Sequence, residues 1–175
     1  ITSLELAGSG EGSDVGKIKV LGLKSTSAVH DGKWHHIASV YNVENMKTYL
    51  FIDGTKEAEG TISSVSNFGN TNNEFHVSGG IQRVIGSPRY NAGIVNVVRV
   101  SDVPRYTTSF TPALSFSSDN NTKALWNMSE GSGTTVADAS GNNNYLTISG
   151  ASWVTDVPTG TTPSGGGNAL SFDGT

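Results

Sequence analysis

Residues 31–42, DGKWHHIASVYN, place a tryptophan and two histidines side by side in a chain with four histidines and no cysteine. Histidine is the side chain best suited to acid–base catalysis and metal binding near neutral pH. If His35 to Tyr41 form a strand, successive side chains alternate between its faces, so His35 and His36 diverge. Diverging histidines cannot chelate one metal, and no G-x-S-x-G motif supplies a nucleophile. The pattern favours a structural role, with Trp34 in the core and one histidine bonded to a backbone carbonyl.

Carboxylates could support a second chemistry, glycoside hydrolysis, which needs two of them about 5 to 5.5 Å apart in retaining enzymes. The apolar, strand-like stretches of this chain contain almost no acidic residues. The glutamates fall in turns or at strand ends, at Glu11, Glu44, Glu57, Glu59 and Glu130. Together with the histidine pattern, this predicts that the chain is not an enzyme.

Oxygen-bearing side chains in two loops could bind a structural Ca²⁺, which takes about six to eight oxygen ligands. The segment ADASGNNN supplies Asp138 and Asn142, and FDGT supplies Asp173. These three residues are the candidate metal ligands. The sequence Asp-x-Ser-Gly-Asn is equally typical of an Asx turn, in which a carboxylate binds backbone N–H groups. Both interpretations remain open from the sequence.

Two Pro-Arg-Tyr sequences, SPRYN and VPRYT, each pair a guanidinium with an aromatic ring. An aromatic face beside an arginine can stack on a sugar ring, which gives four candidate carbohydrate-binding residues: Arg89, Tyr90, Arg105 and Tyr106. The alternative is packing, in which the arginine stem covers the tyrosine at the edge of a sheet.

The elements that must position these residues are strands. Apolar and polar residues alternate along most of the chain, and no window shows a helical repeat. Asp-Gly pairs at 31–32 and 53–54 suit tight reversals. The fold class predicted is all-β, an antiparallel two-sheet β-sandwich of jelly-roll type. Strands are predicted at 17–23, 35–41, 47–52, 74–77, 83–85, 94–100, 123–126, 145–148, 153–154 and 169–172, with linkers at 101–122 and 155–168.

Composition restricts the partners. The 175 residues carry a net charge of -4 and no cluster of Lys and Arg, so nucleic acid is not an expected partner. No apolar run is long enough to enter a membrane. Only 15% of residues are charged while 22 are glycine, a profile that suits an extracellular or cell-surface β protein.

Four motifs together resemble the laminin G-like, concanavalin A-like jelly-roll domains of bacterial surface and secreted proteins. They are DGKWHHIASVYN with MKTYLFIDG, GIVNVVRVSDVPRYTTSFTP, ALWNMSEGSGTTVADASGNNNYLTISGASW, and ALSFDGT. The resemblance implies that the Trp-His-His strand is structural. One departure weakens the calcium prediction, because Asn96 and Val97 stand where the family usually has an acidic pair.

The motifs occur in a permuted order. Residues 1–115, here called the N-terminal segment, resemble the C-terminal two thirds of such a domain, and residues 116–175, the C-terminal segment, resemble its N-terminal third. Three explanations are open: an excerpt from a tandem array, a circular permutation within one domain, or strand exchange with a neighbouring copy.

These observations favour a noncatalytic extracellular repeat that acts in adhesion or self-assembly. Its expected partners are neighbouring copies of itself or adjacent tandem repeats, and polysaccharide bound through loops at one end of the sandwich. The alternative function is a carbohydrate-binding accessory module of a secreted polysaccharide-degrading enzyme.

Overall fold

Short antiparallel strands joined by turns form the protein, shown by a computed structural model that describes residues 19–20, 22–29, 31–63, 77, 79–81, 88–90, 92–113, 115–158 and 167–173. These residues contain strands and no helix. No long apolar helix of the kind that crosses a bilayer occurs in this part of the chain. All strand pairs in it are antiparallel, so the predicted all-β sandwich class is confirmed.

The strands in chain order are β1 (Lys19–Val20), β2 (Leu23–Lys24), β3 (Ile37–Asn42), β4 (Lys47–Ile52), β5 (Thr55–Thr61), β6 (Gly79–Ile81), β7 (Pro88–Tyr90), β8 (Ala92–Val95), β9 (Val98–Ser101), β10 (Thr122–Trp126), β11 (Thr135–Val136), β12 (Leu146–Thr147), β13 (Ala151–Val154) and β14 (Ala169–Asp173).

One three-stranded sheet has the order β3-β4-β5. Its central strand, KTYLFI, is buried after its first residue. The turn from β4 to β5 consists of Asp53 and Gly54, with φ of 51° and 77°, which matches a type I′ reversal and the predicted turn. β5, TKEAEGT, is polar and largely exposed, so apolar alternation does not predict it.

The second three-stranded sheet has the order β13-β14-β8. β14 pairs with β13 on one side and with β8 on the other, and Ser171 lies opposite both Ser152 and Ile94. Ala169 and Leu170 of β14 are buried. The C-terminal segment therefore supplies two strands of a sheet whose third strand belongs to the N-terminal segment.

The strand predicted at 94–100 is divided in the structure. β8 and β9 belong to different sheets, with β9 paired to β10. The break falls at Asn96 and Val97, where the buried Asn96 donates a 3.0 Å hydrogen bond from Nδ2 to the backbone carbonyl of Asn168. Likewise, the described part of the strand predicted at 17–23 is the β1–β2 hairpin, which turns at Gly22 with φ of 77°.

Some predicted elements lie outside the described residues. Of the strands predicted at 74–77 and 83–85, the structure describes Val77 alone, which lies outside any strand, and most of the linker predicted at 155–168 is likewise not described. The strands β6, β7 and β11 are not predicted from the sequence because they are two or three residues long or contain Gly and Pro.

The connection between β9 and β10, residues 102–121, contains no strand among its described residues, as expected for the predicted linker, but part of it packs against the β3-β4-β5 sheet. Tyr106 and Phe110 contact a buried cluster of β3 and β4. The backbone N–H of Phe110 also donates a 2.8 Å hydrogen bond to the carbonyl of Gly54. Proline, serine and threonine between the aromatic residues hide this packing from a composition-based prediction.

Both segments contribute to the largest described core cluster. Val95 and Val98 come from the N-terminal segment, and the remaining buried members come from the C-terminal segment: Ala124, Trp126, Met128, Val136 and Leu170. The two segments therefore share this cluster, while two smaller clusters are built by described residues of the N-terminal segment.

Candidate functional site

His35 lies between two carboxylates at the entrance to β3. Its Nε2 is 2.9 Å from Asp31 Oδ1, and its Nδ1 is 2.8 Å from Asp53 Oδ2. Partial burial acts to lower the pKa of His35, but the hydrogen bonds to both aspartates and their charges outweigh it and raise the pKa. Because a carboxylate occupies each ring nitrogen, neither is free to act as a general base or to bind a metal.

The partners of His35 differ from the backbone carbonyl that the sequence predicts. Each of them is the aspartate of an Asp-Gly turn, and Asp53 also accepts the backbone N–H of His36 at 2.8 Å. The pKa of Asp31 is held far below its usual range by its hydrogen bond with His35 and, to a smaller extent, by that with Lys33. The two turns thus bring their carboxylates together around one imidazolium.

We expect the contacts of His35 to make the free energy of unfolding depend on pH. Since the folded pKa is raised, the stabilisation is complete below the unfolded pKa of about 6.5 and is lost as the pH rises through the folded value. His35→Gln should lack this loss. Urea unfolding of both proteins between about pH 5 and pH 9 measures it, and parallel stability curves for the two would contradict the assignment.

Trp34 and His36 flank His35 and have different surroundings. The indole N–H of Trp34 donates to Asp156 Oδ1 at 3.4 Å, and the side chain is only partly buried. Trp34 therefore does not fill the core as predicted, because β3 begins at Ile37 and Trp34 precedes the sheet. His36 points into a group of aromatic rings, which agrees with the expected divergence of the two histidines.

The two glutamates of β5 are engaged in structural contacts. Glu57 accepts hydrogen bonds from the backbone N–H groups of Thr26 and Ser27, and Glu59 forms ion pairs with Lys56 and Lys47. The pKa of Glu59 is lowered by these lysines, and that of Glu57 is lowered because its hydrogen bonds outweigh burial. A glycosidase needs a carboxylic acid of raised pKa, which is the opposite shift.

Arg105 ties together the two ends of the β9–β10 connection. Its guanidinium forms a bidentate ion pair with Asp119, through Nη1 at 2.8 Å and Nη2 at 2.6 Å. Nε donates to Ser101 Oγ at 2.6 Å and Nη2 to Thr122 Oγ1 at 3.1 Å. Hydrogen bonding with Asp119 raises the pKa of Arg105. We call these four residues the Arg105 clamp.

Tyr106 packs within the same connection. Its ring stacks on Phe110 with centroids 3.6 Å apart, and its hydroxyl accepts a 3.2 Å hydrogen bond from Arg99. Arg105 and Tyr106 are thus each engaged in contacts with other residues of the chain. One face of the tyrosine, and most donors of the arginine, are already occupied.

Arg89 and Tyr90 lie in β7, opposite Gly80 and Gly79 of β6. Their side chains are outside the described part of the structure. The assignment of carbohydrate binding to these two residues and to the Arg105–Tyr106 pair stays a prediction.

Asp138 organises the loop after β11. Its Oδ1 accepts the backbone N–H groups of Leu125 and Ser140, and its Oδ2 accepts that of Asn144, each at 2.9 Å. Burial acts to raise the pKa of Asp138, but these hydrogen bonds outweigh it and lower the pKa. The carboxylate has the contacts of the Asx-turn interpretation.

The other candidate metal ligands do not complete a cation site around Asp138. Asn142 turns its Nδ2 toward the carbonyls of Thr122 and Lys123, at 3.1 Å each. Asp173 ends β14 and is exposed. Among the described residues, no group of three or more His, Asp and Glu side chains could hold a metal ion. The residues present therefore fit hydrogen bonding better than Ca²⁺, and calcium binding stays a prediction.

Replacing Asp138 with alanine should destabilise the fold by about 1–3 kcal/mol, because three backbone N–H groups lose their acceptor. Asp138→Asn keeps one acceptor oxygen and should cost less. Since the folded pKa is lowered, the wild-type contribution is present above about pH 3.9 and is lost as the pH falls. Urea unfolding checks this, and an alanine variant as stable as wild type would refute the role of the carboxylate.

Sequence reasoning missed four residues that shape the site, namely Asp53, Arg99, Phe116 and Asp119. Asp53 carried a signal, because its Asp-Gly turn follows a strongly apolar strand. The other three lie in or contact the β9–β10 connection, and no local pattern links them to their partners.

The described residues form antiparallel strands, and both segments contribute to the largest core cluster, as in a β-sandwich module. A laminin G family model, described as the concanavalin A-like lectin/glucanases superfamily, matches residues 6–109. The chain belongs to this family. Modules of the laminin G type are generally noncatalytic and often occur in extracellular proteins. Searches of curated proteins and of solved structures gave no match.

Proposed function

We propose that the chain is a noncatalytic extracellular module that acts in adhesion and self-assembly, and that copies of itself are its partners. One observation carries the proposal: β14 of the C-terminal segment inserts between β13 and β8. Backbone pairing of this kind gives affinity, and alternating side-chain pockets give register. The same pairing can form between two copies.

The shared core supplies the driving force for this pairing. Ala169 and Leu170 are buried, and Leu170 belongs to the same cluster as Val95 and Val98. A copy without its C-terminal segment would expose this apolar surface and an unpaired edge of β8, which attract another strand. Exchange of identical elements between copies is a low-cost route to an assembly.

The β9–β10 connection is the natural hinge for such an exchange, because it leads from the strands of the N-terminal segment to those of the C-terminal segment. The Arg105 clamp joins the two ends of this connection within one molecule. It therefore favours the unexchanged form, and Arg105→Ala should increase the exchanged fraction.

Cysteine cross-linking tests the proposal in a chain that has no cysteine of its own. Ile94 and Ser171 are register partners, with Cα atoms about 4.5–5.5 Å apart in such a pair, which a disulfide can bridge. Single variants Ile94→Cys and Ser171→Cys are mixed, unfolded, refolded together at high concentration and oxidised. Exchange predicts disulfide-linked dimers that contain one copy of each.

A matched control uses Ser152→Cys with Ser171→Cys. These positions are also register partners, but both lie in the C-terminal segment and travel together in an exchange, so the mixture should give no dimers. A chain that carries both Ile94→Cys and Ser171→Cys should form an internal disulfide, which shows that the two positions can be bridged. If this double variant forms its disulfide while the mixture of the two single variants stays monomeric, self-assembly by exchange is wrong.

Carbohydrate binding is a second candidate function, favoured by Tyr145. This aromatic side chain is 60% exposed and donates from its hydroxyl to Asn143 Oδ1 at 3.3 Å. It follows Asn144, whose backbone N–H is fixed by Asp138, so the loop is held in place. An exposed ring on a fixed loop can stack on a sugar ring.

A glycan array followed by calorimetry tests this candidate. Tyr145→Ala should weaken binding to the recognised polysaccharide about tenfold, the equivalent of one aromatic contact. Val43→Ala, at another exposed apolar residue, serves as the control and should bind as wild type. Equal binding by the two variants would show that Tyr145 does not contact the polysaccharide. If the wild-type protein binds nothing on the array, carbohydrate binding is wrong as a function.

A further inference from the structure

The His36 ring is enclosed by three aromatic residues of the β9–β10 connection. Its centroid lies 6.2 Å from Tyr106, 5.4 Å from Phe110 and 5.9 Å from Phe116, each with an edge-on geometry. These contacts join the entrance of β3 to a connection that otherwise has no strand. We call His36 and these three rings the His36 cage.

The cage leaves one ring nitrogen of His36 without a partner in the described part of the chain. Its Nδ1 is buried and has no hydrogen-bond partner among the described residues. Aromatic rings cannot replace the water that solvates an imidazolium, and burying an uncompensated charge is costly. The cage therefore fits the neutral form of the side chain.

Charged groups from two elements face the cage. Asp53, in the β4–β5 turn, binds the backbone N–H of His36 and the ring of His35, so its oxygens are engaged. Arg99 of β9 lies over Phe116 at 4.3 Å and donates to Tyr106. A second cation at His36 would lie close to this guanidinium.

We propose that protonation of His36 is an acid-sensitive switch that loosens the packing of the β9–β10 connection on the β3-β4-β5 sheet. The charged imidazole must reach water, and turning outward removes it from contact with all three rings. The connection still packs Tyr106 and Phe110 on Phe51 of β4 and keeps its hydrogen bonds with Gly54 and Lys56, so its hold on the sheet is weakened and not abolished. The switch does not require self-assembly.

The electrostatics agree with the geometry. Burial lowers the pKa of His36, Asp53 acts to raise it, and Arg99 acts to lower it further. Because the folded pKa is depressed, the cage contributes stability above the unfolded pKa of about 6.5 and loses it as the pH falls through the folded value. This sign is opposite to that of His35, so the summed contribution of the two neighbours to stability is largest at about pH 6.5.

Hydrogen exchange of the full chain tests the switch. Peptides from residues 103–116 and from β4 are compared at about pH 7.5 and pH 5, with intrinsic exchange rates corrected. We expect the protection of the connection to fall about tenfold at the lower pH, while β4 keeps its protection. His36→Phe keeps an aromatic ring without a titrating group and should abolish the difference.

Two comparisons keep the test decisive. His35→Gln should still lose protection at the lower pH, because removal of the His35 imidazole leaves the His36 cage intact. In the wild-type protein, the NMR titration of the His36 imidazole should coincide with the loss of protection, which needs no variant at position 36. Protonation of His36 without a change in exchange, or an unchanged acid response in His36→Phe, would overturn the proposal.

Discussion

Gly54→Ala is expected to destabilise the protein by about 3–4 kcal/mol, at the upper end of what single substitutions do. A Cβ at this position would lie 1.9 Å from the carbonyl oxygen of Phe110 and 2.9 Å from Cδ of Pro112. Gly54 also has φ of 77°, which L-residues adopt at a cost. Relief of the clash requires the β9–β10 connection to move away from the β4–β5 turn.

Gly32→Ala separates the two causes of this loss. Gly32 has the same φ of 77° but nothing within 4 Å of an added Cβ, so only the conformational cost of about 1–2 kcal/mol applies. Urea unfolding measures both variants. Equal losses for the two would show that the connection does not pack on the turn.

Leu170→Ala is expected to cost about 2–5 kcal/mol, as for other leucines truncated in a core. Leu170 is 3% exposed in β14 and packs in the cluster that both segments build. The loss should appear in one cooperative transition, because removal of the contact weakens a core common to both segments.

Ser171→Ala provides the neighbouring control in β14. Its side chain is partly exposed and points to the opposite face from that of Leu170, so we expect a change of about 0.5 kcal/mol or less. If Leu170→Ala unfolds like wild type, β14 is not part of the core.

Much of the strand content could be predicted from the sequence. Apolar residue patterns predict β3, β4 and β14, and Asp53-Gly54 predicts the reversal after β4; the structure contains each of these elements. β5 was not predicted, because an exposed edge strand needs no apolar residues. The break between β8 and β9 was not predicted, because it depends on a hydrogen bond from Asn96 to the backbone carbonyl of Asn168 in the C-terminal segment.

The site residues were less predictable, for a physical reason. Residue type identified the two histidines as notable, and alternation separated their side chains. Their partners are set by tertiary packing: Asp53 is 18 positions from His35, and the rings around His36 come from a segment with the composition of a linker. The Arg105–Asp119 pair likewise joins residues 14 apart in an irregular connection.

Interstrand backbone NOEs of β14, measured in solution, test the β13-β14-β8 sheet most directly. Backbone NOEs from Ser171 should reach Ile94 of β8 on one side and Ser152 of β13 on the other, as the register requires. Their presence would show that the C-terminal segment completes a sheet begun by the N-terminal segment. NOEs to Ser152 alone, with β8 unpaired, would contradict it.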